Sequence, residues 1–310
     1  MRVVITEFMD KAAVARLAAM YTTLYDKDLV DRREELKVRL SSAHALIVRN
    51  RTEVNPDLLA AAPNLRVVGR LGVGLDNIDV AACRARGVEV IPATGANARA
   101  VAEYVIGMAM VLLRGAHGST GAVADGKWPR GPLSKGREIA GKTLGIVGFG
   151  SIGRVVAVLA HAVGMRIIGF DAHVAASSPV WAAAHAVPRT FAEVIAEADV
   201  VTLHVPLTAA TRALLDAARF ATMKRGAILI NTARGGIVDE AALAAALVAG
   251  KLGGAAVDVF AQEPLPAGSP LTDCPNLILT PHIAGVTRES NLRVSTLVAD
   301  KVAAVLAATA

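Results

Sequence analysis

Only two cysteines, Cys83 and Cys274, occur in 310 residues, too few for a disulfide framework and without the spacing of a metal site. A reduced, cytoplasmic setting is expected, with no metal and no thiol nucleophile. Aromatic residues are scarce at 4%, and none are interleaved with basic runs. The formal net charge of +6 is therefore not read as a nucleic-acid surface, because stacking platforms and base-reading motifs are missing. Dispersed positive charge instead suits attraction of small anions. Long hydrophobic runs are missing too. The most apolar segment, VAEYVIGMAMVLL, is interrupted by Glu103 and too short to span a bilayer. MRVVITEF opens as a strand rather than as a targeting peptide. No membrane and no nucleic acid are expected among the partners.

What the chain does have is alternation. Short β-branched runs, RVVIT, ALIVR, RVVGRL and VEVIPA and later TLGIVGFG, RIIGF, DVVTLHV, AILINTA, GAAVDVF and NLILT, are separated by helix-length stretches such as DKAAVARLAAM, NPDLLAAA and DVAACRARG. Strand–helix–strand repetition predicts parallel sheets with crossover helices, and the length suffices for two such cores. The expected fold class is α/β, with two doubly wound parallel-sheet domains. A long apolar helix is predicted from near Asn97, followed by the Gly-, Pro- and Lys/Arg-rich DGKWPRGPLSKGREIAGK. A stretch of that length without periodicity usually has a task, and contact between subunits is the candidate. The last residues, TRESNLRVSTLVADKVAAVLAATA, read as an amphipathic helix with a fraying tip.

One segment is more specific than its periodicity. GKTLGIVGFGSIGRVVAVLAHAVGMRIIGFD places Gly148, Gly150 and Gly153 as G-x-G-x-x-G between a strand and a helix, with Asp171 closing the next strand. Gly148 permits the tight turn, Gly150 lets backbone approach a pyrophosphate, and Gly153 lets helix pack on strand. The helix start at Ser151 and Ile152 offers unpaired N–H groups to phosphates. Asp171 would accept hydrogen bonds from ribose hydroxyls and repel a 2′-phosphate, which selects NAD over NADP.

Three later segments each end a strand-like run with one reactive side chain: Arg234 in NTARGG, Glu263 in DVFAQEP and His282 in TPHIAG. Alone, an Arg or Glu is usually a solvated surface residue and a His is as often structural as catalytic. Beside a dinucleotide signature they complement one another. A guanidinium holds a carboxylate, an imidazolium protonates a carbonyl oxygen, and a carboxylate favours the charged imidazole. Hydride transfer on a 2-hydroxy or 2-keto acid is the expected chemistry. His204 in DVVTLHV is the competing histidine but has no such companions. His44, His117, His161, His173 and His185 show no partner pattern and read as structural or surface groups.

The ordered set VGRLGVGLDNID, GANARAVAEYVI, GIVGFGSIG with Asp171, LHVPLT, INTARGGIVDEAAL, AAVDVFAQEP and TPHIAG resembles the D-isomer-specific 2-hydroxyacid dehydrogenase family, its phosphoglycerate dehydrogenase-like members in particular, over nearly the whole chain. The resemblance implies a Rossmann NAD domain at 97–284 and a discontinuous, flavodoxin-like substrate domain built from 1–96 and the C-terminal helix at 285–310. It implies His282 as acid/base, Glu263 as its partner, and Arg234 as the group that orients the carboxylate and polarises the C2 carbonyl. For NAD it implies Ser151 and Ile152 at the pyrophosphate, Asp171 at the ribose, and Thr232, Ala233, Asp258 and Gly285 around the nicotinamide half, with Val205 nearby.

The family also implies that the loop Leu71 to Leu75, with Gly72, Val73 and Gly74, offers backbone N–H groups to the substrate carboxylate. Val73 stands where a hydroxyl residue is common, so one side-chain bond is absent. Arg49, Arg51, Arg70 and Arg130 are candidate cations for a second anionic group, Arg49 by matching an arginine of phosphoglycerate-type members. Trp128 and Arg130 lie in an arm that, in some relatives, reaches a neighbouring subunit's site. The expected substrate is a small dianionic acid, 3-phosphoglycerate or sulfolactate-like, and the expected assembly a homodimer through the 97–140 region. Formate dehydrogenase relatives pair their histidine with glutamine, so Glu263 argues against that activity. The alternative reading is an NAD(H)-sensing corepressor-like binding protein, which shares the fold and the Arg/Glu/His set.

Overall fold

The computed structural model describes residues 1–308; the expectation of a frayed tip falls in part on Thr309 and Ala310, outside the described residues. The chain divides into two compact units, Met1–Asn97 with Val286–Ala310, and Ala98–Gly285. Both boundaries lie one residue beyond the expected positions, the first where the helix Ala98–Arg114 begins.

The smaller unit is a five-stranded sheet of β1 (Arg2–Ile5), β2 (Thr22–Tyr25), β3 (Ala45–Val48), β4 (Val67–Arg70) and β5 (Glu89–Pro92). All pairings are parallel, and the order is β2-β1-β3-β4-β5, that of flavodoxin-like folds. One face packs Val3, Ile5, Ile47 and Val67 against Leu17 of the helix Lys11–Met20 and Val298 and Val302 of the helix Arg288–Ala308. Gly69 makes the last contact possible: a Cβ there would stand 2.6 Å from Val298 Cγ1 and 2.9 Å from Val302 Cγ2. The C-terminal helix thus lies directly on β4, although the periodicity of its sequence gives no address. The other face buries Val4, Leu46 and Val68 with Leu36, Leu40 and Cys83. Burial pushes the Cys83 thiol pKa up, which fits an inert core thiol.

The larger unit is a seven-stranded parallel sheet of β6 (Thr143–Val147), β7 (Arg166–Phe170), β8 (Ala186–Pro188), β9 (Val200–Leu203), β10 (Ala227–Asn231), β11 (Leu252–Val257) and β12 (Leu277–Leu279), in the order β12-β11-β10-β9-β6-β7-β8. Counted from β6 this is the Rossmann order with one added edge strand. β6, β9 and β10 are buried along their whole length, as parallel strands covered on both faces must be. Helices Ala98–Arg114 and Ser151–Ala162 pack together on one face, and Phe191–Glu197, Ala217–Thr222 and Glu240–Val248 cover the other. The chain leaves β6 towards β7 on one side and restarts at β9 on the other, so the switch point falls at the C-terminal end of β6.

Two strands were not expected from sequence. β2 is a partly exposed edge strand, and β8 is a three-residue edge strand ending in Pro188. After the long helix come a 3-10 turn, His117–Ser119, and the short helix Thr120–Ala124; the basic stretch itself forms the short helix Arg130–Leu133, and no residue from 115 to 140 is fully buried. Among the described residues no single helix is long and apolar enough to cross a membrane.

Candidate active site

The glycine loop sits at the switch point. Gly148 has φ 98°, and a Cβ there would strike the His204 carbonyl at 2.5 Å and approach Val205 Cγ1 at 3.0 Å. Gly153 is set so close to the loop that its Cβ would fall 2.2 Å from the Gly148 carbonyl oxygen. Both glycines are thus explained by protein packing. Gly150 is not, because a Cβ there would meet no protein atom within 4 Å. It caps the helix Ser151–Ala162 without any side-chain cap bond, leaving the first N–H groups of Ser151 and Ile152 to whatever approaches. Asp171 follows β7, and its two oxygens accept the Phe149 N–H at 2.7 Å and the His173 N–H at 2.8 Å. Each carboxylate oxygen keeps a lone pair for a further donor.

The three reactive side chains come from loops after β10, β11 and β12. Buried Asn231 ends β10 and pins the first of them: its Oδ1 accepts the Ala233 N–H at 3.1 Å and its amide donates to the Arg234 carbonyl at 3.3 Å. Gly235 is forced, since a Cβ there would overlap the Phe260 carbonyl at 1.8 Å. Arg234 is half-buried and donates from Nη1 to the Ala233 carbonyl at 2.5 Å. Glu263 turns back on its own loop, with Oε1 accepting the Phe260 N–H at 3.0 Å, while Oε2 lies 2.9 Å from His282 Nδ1. The sheet therefore brings Glu263 and His282 together as read from sequence. His282 has φ 56°, a left-handed conformation uncommon for a residue other than glycine and frequent at functional sites. Its ring is exposed, and among the described residues nothing pairs with Nε2.

Asp258, assigned to the cofactor half from sequence, has a larger structural share. It is 1% exposed, and Oδ1 accepts both the Thr280 hydroxyl at 2.5 Å and the Ile283 N–H at 2.8 Å, while Oδ2 accepts the Ala284 N–H at 2.8 Å. Tyr104 closes this network at 2.7 Å from Thr280 Oγ1. These bonds fix the residues on both sides of His282, and one lone pair on Oδ2 stays open to a ligand. Sequence reading did not single out Tyr104, Thr280 or Asn231; Tyr104 lies 176 residues from its partner, and no local pattern announces it. Val205 packs at Gly148, and Gly285 closes the larger unit just after the clamped loop.

Thr232 Oγ1 is buried and has no hydrogen-bond partner among the described residues. An orphaned hydroxyl beside Arg234, a glycine at 150 that packing does not require, and uncapped helix N–H groups all fit a dinucleotide. Its phosphates would lie at Ser151 and Ile152, its ribose at Asp171, and its nicotinamide near Thr232 and Ala233. His204 is disfavoured as the acid. Desolvation pushes its pKa down to about 3, so it is neutral at pH 7, and its Nε2 lies 3.1 Å from Thr202 Oγ1. His161 and His185 stack on each other at 4.0 Å. Among the described residues no cluster could hold a metal ion.

In the smaller unit the candidate cations separate. Arg51 is paired with Asp31 and largely exposed. Arg130 belongs to the unburied segment, where Trp128 is 77% exposed. Arg70 folds back so far that a Cβ on Gly72 would sit 1.4 Å from its Nη1. Of the loop that follows, the Leu71 and Gly72 N–H groups are already given to the Val48 and Arg70 carbonyls at 2.8 Å each. The Val73, Gly74 and Leu75 N–H groups make no such bond among the described residues. Arg49 differs from its neighbours. It is half-buried, its Nη2 donates to Asn291 Oδ1 at 3.2 Å, and its guanidinium carbon stands 5.7 Å from the Phe8 ring centre. No carboxylate lies within ion-pair distance among the described residues. Burial draws its pKa below the usual arginine value, while the nearby Glu7 charge opposes the shift.

Known proteins resemble this chain in sequence and in fold. The profile of the D-isomer specific 2-hydroxyacid dehydrogenase NAD-binding domain matches residues 106–284. A relative named (S)-sulfolactate dehydrogenase, from Chromohalobacter salexigens, is 52% identical over 300 residues, covering 97% of this chain and 96% of its own. A D-3-phosphoglycerate dehydrogenase of Archaeoglobus fulgidus is 39% identical over 87% of this chain, which spans only 51% of that relative. The structure of D-lactate dehydrogenase from Aquifex aeolicus, complexed with NAD and lactic acid, superposes with a TM-score of 0.80 at 28% identity, covering 99% of this chain and 96% of the other. The chain belongs to the D-isomer-specific 2-hydroxyacid dehydrogenase family and is an NAD-dependent oxidoreductase.

Proposed function

We propose that this enzyme interconverts a small 2-hydroxy acid bearing a second anionic group with its 2-keto acid, and that (S)-sulfolactate is the first substrate to test. The observation that carries the second anion is Arg49, a half-buried guanidinium without a carboxylate partner. Holding a guanidinium half out of water with no ion-pair partner, and only the nearby Glu7 charge to offset it, is costly, and a counter-charge on the ligand relieves that cost. The 52% identity to a sulfolactate dehydrogenase supports a sulfonate in that role. The (S) descriptor agrees with a D-specific family. Sulfur outranks oxygen at the first point of difference, so the sulfomethyl group takes priority over the carboxyl, and the spatial arrangement called R in D-lactate is called S in sulfolactate.

Each of the three reactive residues has a proposed part. His282 carries the proton: with Nδ1 held on Glu263, Nε2 donates to the C2 oxygen in reduction and accepts from the hydroxyl in oxidation. Arg234 binds the carboxylate and stabilises charge developing on the C2 oxygen. Val73 and Gly74 are the proposed donors of backbone N–H groups to a substrate carboxylate. NAD, when bound, supplies or accepts the hydride. Unit Met1–Asn97 with Val286–Ala310 is the proposed substrate domain, and the protein is placed in the cytoplasm. A homodimer through the 97–140 region is favoured by the exposed Met110, Val123 and Trp128, and the sedimentation coefficient tests it. The substrate test is NAD reduction with (S)-sulfolactate, D-3-phosphoglycerate and D-lactate. A preference for either dianion over D-lactate supports the reading, and equal or better use of D-lactate overturns it.

A further inference from the structure

Glu7 follows β1 and is 4% exposed, yet its acceptors are nearly saturated by a loop 42 residues away. Oε1 accepts the N–H groups of Arg49 at 2.8 Å and Thr52 at 3.0 Å, and Oε2 those of Asn50 at 3.2 Å and Arg51 at 3.1 Å. Its neighbours grip the same loop. Thr6 Oγ1 lies 2.8 Å from Thr52 Oγ1, and the Phe8 ring lies beneath the Arg49 guanidinium. Asn77 takes the loop's other polarity, donating to the Thr52 carbonyl at 2.7 Å and the Arg49 carbonyl at 3.3 Å. Four consecutive N–H groups converging on one carboxylate tie down the backbone of residues 49–52. The side chain they carry is the one guanidinium in this loop without a carboxylate partner.

We infer that Glu7 is a specificity-determining positioning residue: its carboxylate sets the 49–52 backbone so that Arg49 presents its guanidinium to the second anion of the substrate. This rests on the reading of Arg49 given above. A fold staple alone would affect every substrate alike, because an enzyme loosened in one domain has no reason to distinguish a sulfonate from a methyl group. Positioning through Arg49 affects only substrates that use Arg49. (S)-Sulfolactate and D-lactate share the configuration at C2 and the carboxylate, so the ratio of their kcat/KM values isolates the sulfonate contact.

The experiment measures that ratio for the wild type, Arg49→Ala, Glu7→Gln and the double variant, with thermal unfolding of each. The amide of Glu7→Gln turns an NH2 towards two of the four N–H donors and breaks the clamp. Glu7→Gln is expected to lower the ratio about tenfold, through KM for (S)-sulfolactate, with D-lactate turnover changed less than about twofold. Added to Arg49→Ala it should lower the ratio no further, because the residue through which it acts is gone. Equal losses on both substrates, or full additivity in the double variant, overturn the inference. An unchanged ratio in Arg49→Ala itself instead refutes the reading of Arg49. Should Glu7→Gln not fold, Glu7→Asp decides. It keeps the charge and withdraws it by one methylene, so a ratio between those of wild type and Arg49→Ala is expected, and the wild-type ratio overturns the inference.

Discussion

The loop of His282 in the larger unit and the loop of Arg49 in the smaller are held by the same device, a buried carboxylate that accepts backbone N–H groups. Asp258 takes Ile283 and Ala284 with the Thr280 hydroxyl; Glu7 takes Arg49, Asn50, Arg51 and Thr52. The loops differ in what their side chains find. His282 has Glu263 at 2.9 Å, whereas Arg49 has an amide oxygen and an aromatic ring. A proton carrier needs its partner in every turnover, and a recognition group needs its counter-charge only when substrate is present. The first side chain finds its partner in the protein, and on the proposed function the second would find its own in the ligand.

The sharpest way to break that comparison is His282→Ala. Removing a positioned acid/base should lower kcat by about two to four orders of magnitude, equally for (S)-sulfolactate and D-lactate, with NAD affinity by fluorescence titration almost unchanged. If the loss differed between substrates, His282 would share in recognition and the two loops would not divide the work. The fit to Glu263 gives a companion measurement. Glu263→Gln should lower kcat less than His282→Ala, since the ring remains but loses the carboxylate on Nδ1.

Asp171 extends the comparison to a third loop. Its carboxylate also accepts two backbone N–H groups, from Phe149 and His173, yet it is only partly buried and keeps acceptor capacity for a ligand. Asp171→Ala removes a charged hydrogen-bond acceptor, a loss of about 1.5–3 kcal/mol. NAD should bind about ten- to a hundredfold more weakly, and discrimination against NADP should narrow or reverse. An unmodified enzyme that uses both coenzymes equally would remove Asp171 from the ribose.

Much of this was legible in the sequence, and the exceptions have physical causes. Gly148, Asp171, Arg234, Glu263 and His282 were read because each follows a strand within an ordered motif, and Gly153 because its spacing from Gly148 and Gly150 places it in the helix that follows, so local pattern carries the information. β2 and β8 were missed because edge strands are short and half-exposed, so neither a buried run nor a clean alternation marks TTLY, and Pro188 disguises the other. The role of Glu7 was invisible for a different reason. It depends on β3 lying beside β1, which brings the Arg49 loop to a carboxylate far away in sequence. Asp258 was assigned to the ligand because motifs name residues without saying how many of their lone pairs the protein itself consumes. The distinction between Arg49 and Arg51 also needed the fold, which gives Arg51 to Asp31.

The two clamps can also be compared by acid. Burial alone would raise the Glu7 carboxyl, but the N–H groups of Thr52, Arg49 and Arg51, with the Thr52 hydroxyl, outweigh it and hold its pKa below the usual carboxylate range. A folded-state pKa below the unfolded value means stability that is complete at neutral pH and lost as the pH falls through the folded-state value. Glu7→Gln should cost about 1–3 kcal/mol at pH 7, the penalty for leaving buried groups unsatisfied. That deficit relative to wild type should shrink as urea unfolding is repeated below the usual carboxylate range. A deficit constant with pH would mean that the charge of Glu7 does not hold the loop.

The smallest expected effect concerns Thr232, the group that neither clamp satisfies. Its buried hydroxyl has no protein partner among the described residues, which is unfavourable unless something bound to the protein supplies one. Valine has nearly the same shape without the hydroxyl. Thr232→Val should therefore leave the free enzyme as stable as wild type or slightly more so, by about 0.5–1.5 kcal/mol, since an unsatisfied polar group is removed. If the hydroxyl meets the nicotinamide half of NAD, the same change should weaken NAD binding about three- to tenfold, so that added NAD raises the melting temperature of the variant less than that of wild type. Stability and affinity then move in opposite directions, which a packing defect would not produce. A variant destabilised without NAD and unchanged in NAD affinity would show that Thr232 serves the fold and that its hydroxyl does not face the cofactor.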